Sequence, residues 1–119
     1  MKTIFSMMLA IAALGLAAPA HATGGLSCRT AGARAIDLRL VISHTAVPAV
    51  VSARLIEYGR DVPAALAQAW IEPDDLRVDL VDRTAQRHEL RLRAKKNGRD
   101  YDGSVWRGGK RRWVRCRED

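Results

Sequence analysis

The chain has few of the residues that carry most enzyme chemistry. Of its 119 residues, two are cysteine and three are histidine. His21 falls in an apolar leader, His44 in a turn-like stretch and His88 at the start of a strand pattern, so the latter two read as ordinary polar positions. There is no C-x-x-C for thiol redox work, and no H-E-x-x-H or paired histidines for zinc. No G-x-S-x-G is present, and Asp102-Gly103-Ser104 reads as strand rather than as a nucleophile with a base. Glu72, Asp74, Asp75, Asp79 and Asp82 lack the order of a calcium loop and mostly alternate along one strand. No glycine-rich loop is placed to cradle a phosphate. Internal repeats and low-complexity tracts are also missing. These absences exclude the common catalytic and metal constellations, and they point to a non-enzymatic protein without a cofactor.

Long apolar runs are equally scarce. The one exception extends from Ile4 to Ala18, follows Met1-Lys2 and ends at Pro19, ahead of Ala20-His21-Ala22. A basic start, an apolar centre and small residues at the cleavage positions form a secretory signal. The alternative is a membrane anchor, but the run is about 15 residues against the roughly 20 a bilayer requires, and no basic stop-transfer cluster follows. Residues 1–22 are therefore expected to be a signal peptide, cleaved after Ala22, with Ala18-Pro19-Ala20 as a second candidate site. No cysteine sits at the junction, so no lipid is expected there. This reading makes the protein periplasmic or secreted, with no membrane span after cleavage.

The remaining 97 residues, Thr23 to Asp119, suffice for one domain with a modest core. Their only cysteines, Cys28 and Cys116, stand near opposite ends. In an oxidising compartment they most simply pair. A free thiol pair or a shared metal is the alternative, and two sulfurs with no histidine nearby make a poor zinc site. On the loop-closure model, an 88-residue separation removes about 4–5 kcal/mol of unfolded-state entropy.

Charge is unevenly spread. The whole chain carries +7, and loss of Lys2 leaves +6. From Thr23 to Asp82 six arginines face eight acids, whereas from Arg83 to Asp119 thirteen Lys or Arg face five acids. The C-terminal third is thus a basic surface attached to a nearly neutral remainder, and such a surface attracts polyanions through its long-range potential. In an envelope these would be lipopolysaccharide phosphates, anionic lipid or anionic glycan; an envelope protein is a further candidate partner and nucleic acid a poor one. The plainer alternative is that the arginines merely solvate the strands.

Period-two alternation dominates the mature chain and predicts an all-β fold, a small antiparallel barrel or compact sandwich of six to eight strands. Residues 23–34, rich in Gly and Ala, read as a loosely structured lead-in carrying Cys28, and 35–119 as the β domain. Ile36, Leu38, Leu40 and Ile42 mark one strand; Val51, Ala53 and Leu55 mark the next. Val62 to Ile71 fits either a short helix capped by Asp61 ahead of Pro63 or a strand ending at Glu72-Pro73-Asp74-Asp75; the surrounding β pattern favours the strand. Leu76 to Arg117 then forms a four-stranded meander.

Turn chemistry sets a register for this meander. A two-residue turn at Asn97-Gly98 places Leu90 opposite Val105, Ala94 opposite Tyr101 and Arg93 opposite Asp102. A turn at Gly108-Gly109 places Tyr101 opposite Cys116, Asp102 opposite Arg115 and Arg112 opposite Val105, the last tolerable only at a rim. A one-residue slip would ruin both faces. The register sends Trp106 and Trp113 away from the Leu/Val side, together with Arg91, Arg93, Arg111 and Arg115. Exposed, these six side chains suit an anionic, flat or sugar-like ligand, with rings stacking and guanidinium groups pairing with phosphate or carboxylate. Covered by a second sheet, the tryptophans would instead be core.

The segment Tyr101-Asp102-Gly103-Ser104-Val105-Trp106-Arg107-Gly108-Gly109, running into Trp113-Val114-Arg115-Cys116-Arg117-Glu118, resembles a group of small exported proteins of alphaproteobacteria. The resemblance covers most of the mature domain and implies an envelope location without implying an activity. More distantly, the chain is similar to the periplasmic inhibitors of c-type lysozyme, which also bear a signal, are of this size, are β-barrel-like and contain a disulfide. That similarity implies inhibition of a cell-wall hydrolase as an alternative function. No position here matches that family's inhibitory loop, so no site residue is carried over. A basic lysozyme would also be repelled unless the acidic half of this chain docked against it.

Overall fold

The computed structural model describes residues 23–119, so the expected signal peptide at 1–22 lies outside the described residues. Those residues form one nine-stranded antiparallel sheet with no helix, and hence no helix long and apolar enough to cross a membrane. The strands are β1 (Thr23–Thr30), β2 (Ile36–Ser43), β3 (Ala49–Glu57), β4 (Arg60–Val62), β5 (Ala65–Ile71), β6 (Asp75–Val81), β7 (His88–Asn97), β8 (Asp100–Arg107) and β9 (Lys110–Glu118). Their order across the sheet is β4-β3-β2-β1-β9-β8-β7-β6-β5. The sheet is therefore two meanders joined through β1 and β9.

The all-β expectation holds, with nine strands against the six to eight anticipated, because three-residue β4 stands apart from β5 and a further strand, β1, forms near the N-terminal end of the described residues. The segment 23–34, expected to be a loose lead-in, is largely strand β1 and sits at the centre of the sheet. Its glycines and serine masked an inward alternation of Leu26, Cys28 and Thr30, all buried. The ambiguous stretch 62–71 resolves as strand β5.

Topology forces the sheet to curl. β4 and β5 occupy opposite ends of the strand order, yet only Pro63 and Ala64 separate them. So short a link spans at most about 10 Å. In an antiparallel order the first and ninth strands point the same way, so β4 and β5 act as one bent strand that leaves β3 and joins β6. Pro63 marks the switch, as expected of a residue with no N–H to give a ladder. The result is a half-barrel with β3 lying against β5 across a slot. Leu38, Leu40, Leu55, Leu76, Leu80, Leu90, Leu92 and Val105 fill its interior and are each at most 2% exposed.

Three bulges correct the simple alternation. Val50, not Val51, faces inward in β3, because the β2–β3 register shifts after Val41 and leaves Val51 outside. A second bulge falls between Leu66 and Gln68, and a third near Val81 turns Glu89 aside. At the β7–β8 hairpin Asn97 pairs with Asp100, so the turn residues are Gly98-Arg99 rather than Asn97-Gly98. Gly98 alone takes positive φ, 66°, at the first central position, as in a type II′ turn. The pairing therefore moves by two residues, to Leu92–Val105, Ala94–Gly103 and Lys95–Asp102. A two-residue shift keeps every side chain on its face, so the inner and outer sets survive. The Gly108-Gly109 turn and its pairs, including Asp102–Arg115 and Val105–Arg112, stand as expected. Arg112 escapes burial at the rim because β1 ends opposite Val114, and its Nη1 donates to the Arg34 carbonyl.

Two contacts hold the curl. Cys28 and Cys116 are direct cross-strand partners on β1 and β9 and form a disulfide between the first and last strands. At one end of the half-barrel Arg107 reaches from β8 across the interior to β3. It donates to Glu57 Oε1 and Oε2 at 3.1 Å each and to Glu89 Oε2 at 3.0 Å. Close approach matters at Gly103, where a β-carbon would collide with the backbone of Arg93 and Ala94; only glycine lets β7 and β8 coil this tightly.

Replacing Cys28 and Cys116 by serine is expected to lower unfolding free energy in urea by about 3–5 kcal/mol while leaving the far-ultraviolet β spectrum intact at low denaturant. Arg107→Ala is expected to cost about 2 kcal/mol in the same measurement, because it strands two half-buried carboxylates. A cost near zero would mean the end of the barrel is held by packing alone.

Candidate functional site

Cross-strand partners on the outer face of β5–β9 define two adjacent rungs. The first runs Trp70, Arg77, Arg93, Ser104, Trp113. The second runs Gln68, Asp79, Arg91, Trp106, Arg111. All three tryptophans of the protein therefore share one half of one face. Trp70 is 52% exposed, Trp113 50% and Trp106 37%, and no second sheet covers them. The structure decides the open alternative: these rings are surface, not core. With strands about 4.8 Å apart, Trp70 and Trp113 stand roughly 19 Å from each other around the sheet.

The six residues expected to form a patch, Arg91, Arg93, Trp106, Arg111, Trp113 and Arg115, do lie on this face. Their charges are not equally available. Asp79, on the second rung and 8% exposed, receives Arg91 Nε at 3.2 Å and Arg93 Nη2 at 3.1 Å, with His88 Nε2 at 3.6 Å. Arg115 donates to Asp102 at 2.8 Å and lies over the Trp113 ring, 5.0 Å from its centroid. Such a cation–π contact holds both side chains in place. Arg111 makes no ion pair among the described residues. A third rung, Asp75–Lys95–Asp102–Arg115, alternates in charge across β6–β9; it continues onto β1 and β2 as Arg29–Asp37, where Arg115 and Arg29 meet as like charges.

Sequence reasoning missed Trp70 and Arg77. Arg77 lies directly opposite Arg93, a like-charge pair that repels across the strands, and its one carboxylate, Asp75, is 3.3 Å away. Trp70, Arg77, Arg93, Gln68 and Asp79 bound a depression of ≈ 340 Å³; Arg91, Arg93, His88 and Trp106 bound a second of ≈ 580 Å³. A signal for Trp70 was present: Leu66 and Ile71 have opposite parity, so both can face inward only if a bulge intervenes. That bulge sends Trp70 outward beside Arg77.

Several carboxylates on this half are held below their ordinary range. For Asp79 burial pushes upward, but hydrogen bonds and charge from Arg93 and Arg91 outweigh it and leave the group lowered. The Arg115 guanidinium, and then Asn97, depress Asp102. Backbone N–H donation from Arg87 leads in depressing Asp82. Among the described residues no three His, Cys, Asp or Glu side chains converge as metal ligands. No family model, curated protein or solved structure matches the chain.

A carboxylate whose folded value lies below its unfolded value stabilises the fold above the unfolded value, and that contribution fades as pH falls through the folded one. The urea midpoint is therefore expected to stay nearly level down to about pH 5 and to fall below about pH 4. Asp79→Asn is expected to lower the midpoint at pH 7 and to flatten the acid decline. An acid limb as steep as the parent's would remove Asp79 from the account.

Proposed function

We propose that the protein is an exported, non-enzymatic envelope module whose outer β5–β9 face binds an anionic glycan-bearing polymer of the lipopolysaccharide type. One observation carries the reading: all three indoles sit exposed on two neighbouring rungs, interleaved with Arg77, Arg91, Arg93, Arg111 and Arg115. An aromatic ring left in water forgoes a large burial gain, so three gathered on one face favour a partner that covers them. Indoles stack on the apolar faces of sugars, while guanidinium groups meet phosphate or carboxylate through two parallel hydrogen bonds. An anionic group seated between Arg77 and Arg93 would relieve their mutual repulsion. Asp79 and Asp102 hold Arg91, Arg93 and Arg115 in fixed poses, which lowers the ordering cost of binding. The disulfide and the leader-like first 22 residues both suit an oxidising, extracytoplasmic compartment.

Retention on immobilised lipopolysaccharide is expected to fall steeply between 50 and 500 mM salt (assay settings), where screening grows severe. The Trp70→Ala, Trp113→Ala double variant is expected to bind at least tenfold more weakly, from the stacking lost at two rings. Charge reversal of Arg91, Arg111 and Arg115 should weaken retention more than reversal of Arg39 and Arg54 on the other half. Equal effects from both sets, or retention indifferent to salt, would overturn the reading. Loss of c-type lysozyme activity on adding the protein would point instead to hydrolase inhibition.

A further inference from the structure

The half-barrel is closed unequally at its two ends. Arg107, Glu57 and Glu89 seal one end. At the other, β3 and β5 have no shared ladder, because the bent strand pairs with β3 only through Arg60–Val62 and with β6 thereafter. The slot widens there into a mouth of ≈ 530 Å³. Leu26, Ile42, Pro48, Ile71, Pro73 and Tyr101 supply its apolar wall. Its volume falls in the range of small-molecule sites, and barrel mouths are a common place for them.

The rim has the opposite sign to the outer face. Glu72 and Glu118 line the mouth, and His44 is the sole basic side chain lining it among the described residues; the Asp119 carboxylate turns to the outer side of β1, where Ser27 Oγ donates to it. In a chain of net charge +7, two carboxylates at an apolar cavity form a local negative end. Tyr101 lies in the same wall: burial, then the charges of Glu118 and Asp74, raise its hydroxyl above the ordinary tyrosine value. A protonated phenol can still accept a hydrogen bond from an ammonium group.

We infer that the mouth between β3 and β5 is a binding site for a small cationic amphiphile, an aliphatic amine whose tail enters the cavity while its ammonium group meets Glu72 and Glu118. An apolar wall rewards the tail by the area it removes from water, and the carboxylates select the sign of the head group. The site is separate from the tryptophan face and selects the opposite charge, so the two stand or fall independently.

The test is a titration of the ¹⁵N-labelled protein with decylamine and with decanoate, probes that share a tail and differ in head group, both kept below micelle-forming concentration. Decylamine is expected to shift the amides of Leu26, Ile42 and Tyr101 in a saturable way, and decanoate to bind at least tenfold more weakly. The Glu72→Gln, Glu118→Gln double variant, both exposed positions, is expected to keep the parent spectrum elsewhere and to lose about fivefold in decylamine affinity. Equal affinity for amine and carboxylate, an unchanged affinity in the double variant, or shifts centred on Trp70, Trp106 and Trp113 would each overturn the inference.

Discussion

Pairing of the first strand with the last is the constraint on which the structure depends. β1 and β9 lie side by side at the centre of the sheet, and among the described residues theirs is the only ladder that connects the meander β2–β4 to the meander β5–β8. Without that ladder each half would expose one apolar sheet face, and a small open sheet with a naked face is marginal in water. The Cys28–Cys116 bond lies within this ladder, so a covalent link reinforces the contact of greatest sequence separation. The remaining pairings are hairpins or near neighbours, and they form from local turn chemistry.

Once the seam is in place, the short Pro63-Ala64 link brings the sheet edges together and separates two environments. Inside, leucine and valine pack, and among the described residues no buried side-chain polar atom lacks a partner. Outside, guanidinium groups outnumber carboxylates, and the carboxylates that are present act as fixed anchors for them. Asp79 illustrates this arrangement. Its burial would be costly if unpaired, and it is tolerated because Arg91 and Arg93 meet it from the neighbouring strand. The anchoring leaves Arg111 as the guanidinium on the outer β5–β9 face with no ion pair among the described residues.

Much of this was legible because antiparallel strands encode their faces in a period of two. Leu76, Val78, Leu80, Leu90, Leu92, Val105 and Val114 announce an inner face, and Trp106, Trp113 and Arg115 an outer one, before any register is known. An error of two residues at the Gly98 hairpin left both faces intact for the same reason. What escaped the sequence was whatever breaks the period. The bulge at Val51 reversed one inward assignment, and the bulge between Leu66 and Gln68 hid Trp70 from the patch, and with it the neighbour that would have drawn in Arg77. β1 was hidden differently, since Gly24, Gly25 and Ser27 carry too little side chain to display an alternation. Arg107 could not be foreseen as the closure of one end, because its partner Glu57 is 50 residues away and meets it only after the sheet has curled.

The central position of β1 has a consequence for the order of assembly. A chain synthesised from its N-terminus releases Cys28 early, and its sulfur partner appears only 88 residues later. The hairpins from β2 onward close over short loops in microseconds, whereas the first strand must wait for the last, so the rate-limiting event is a long-range docking rather than a turn. With one cysteine pair, no wrong bridge is available within a single molecule. Any mispairing must join two chains, and oxidative folding is then governed by protein concentration rather than by disulfide reshuffling.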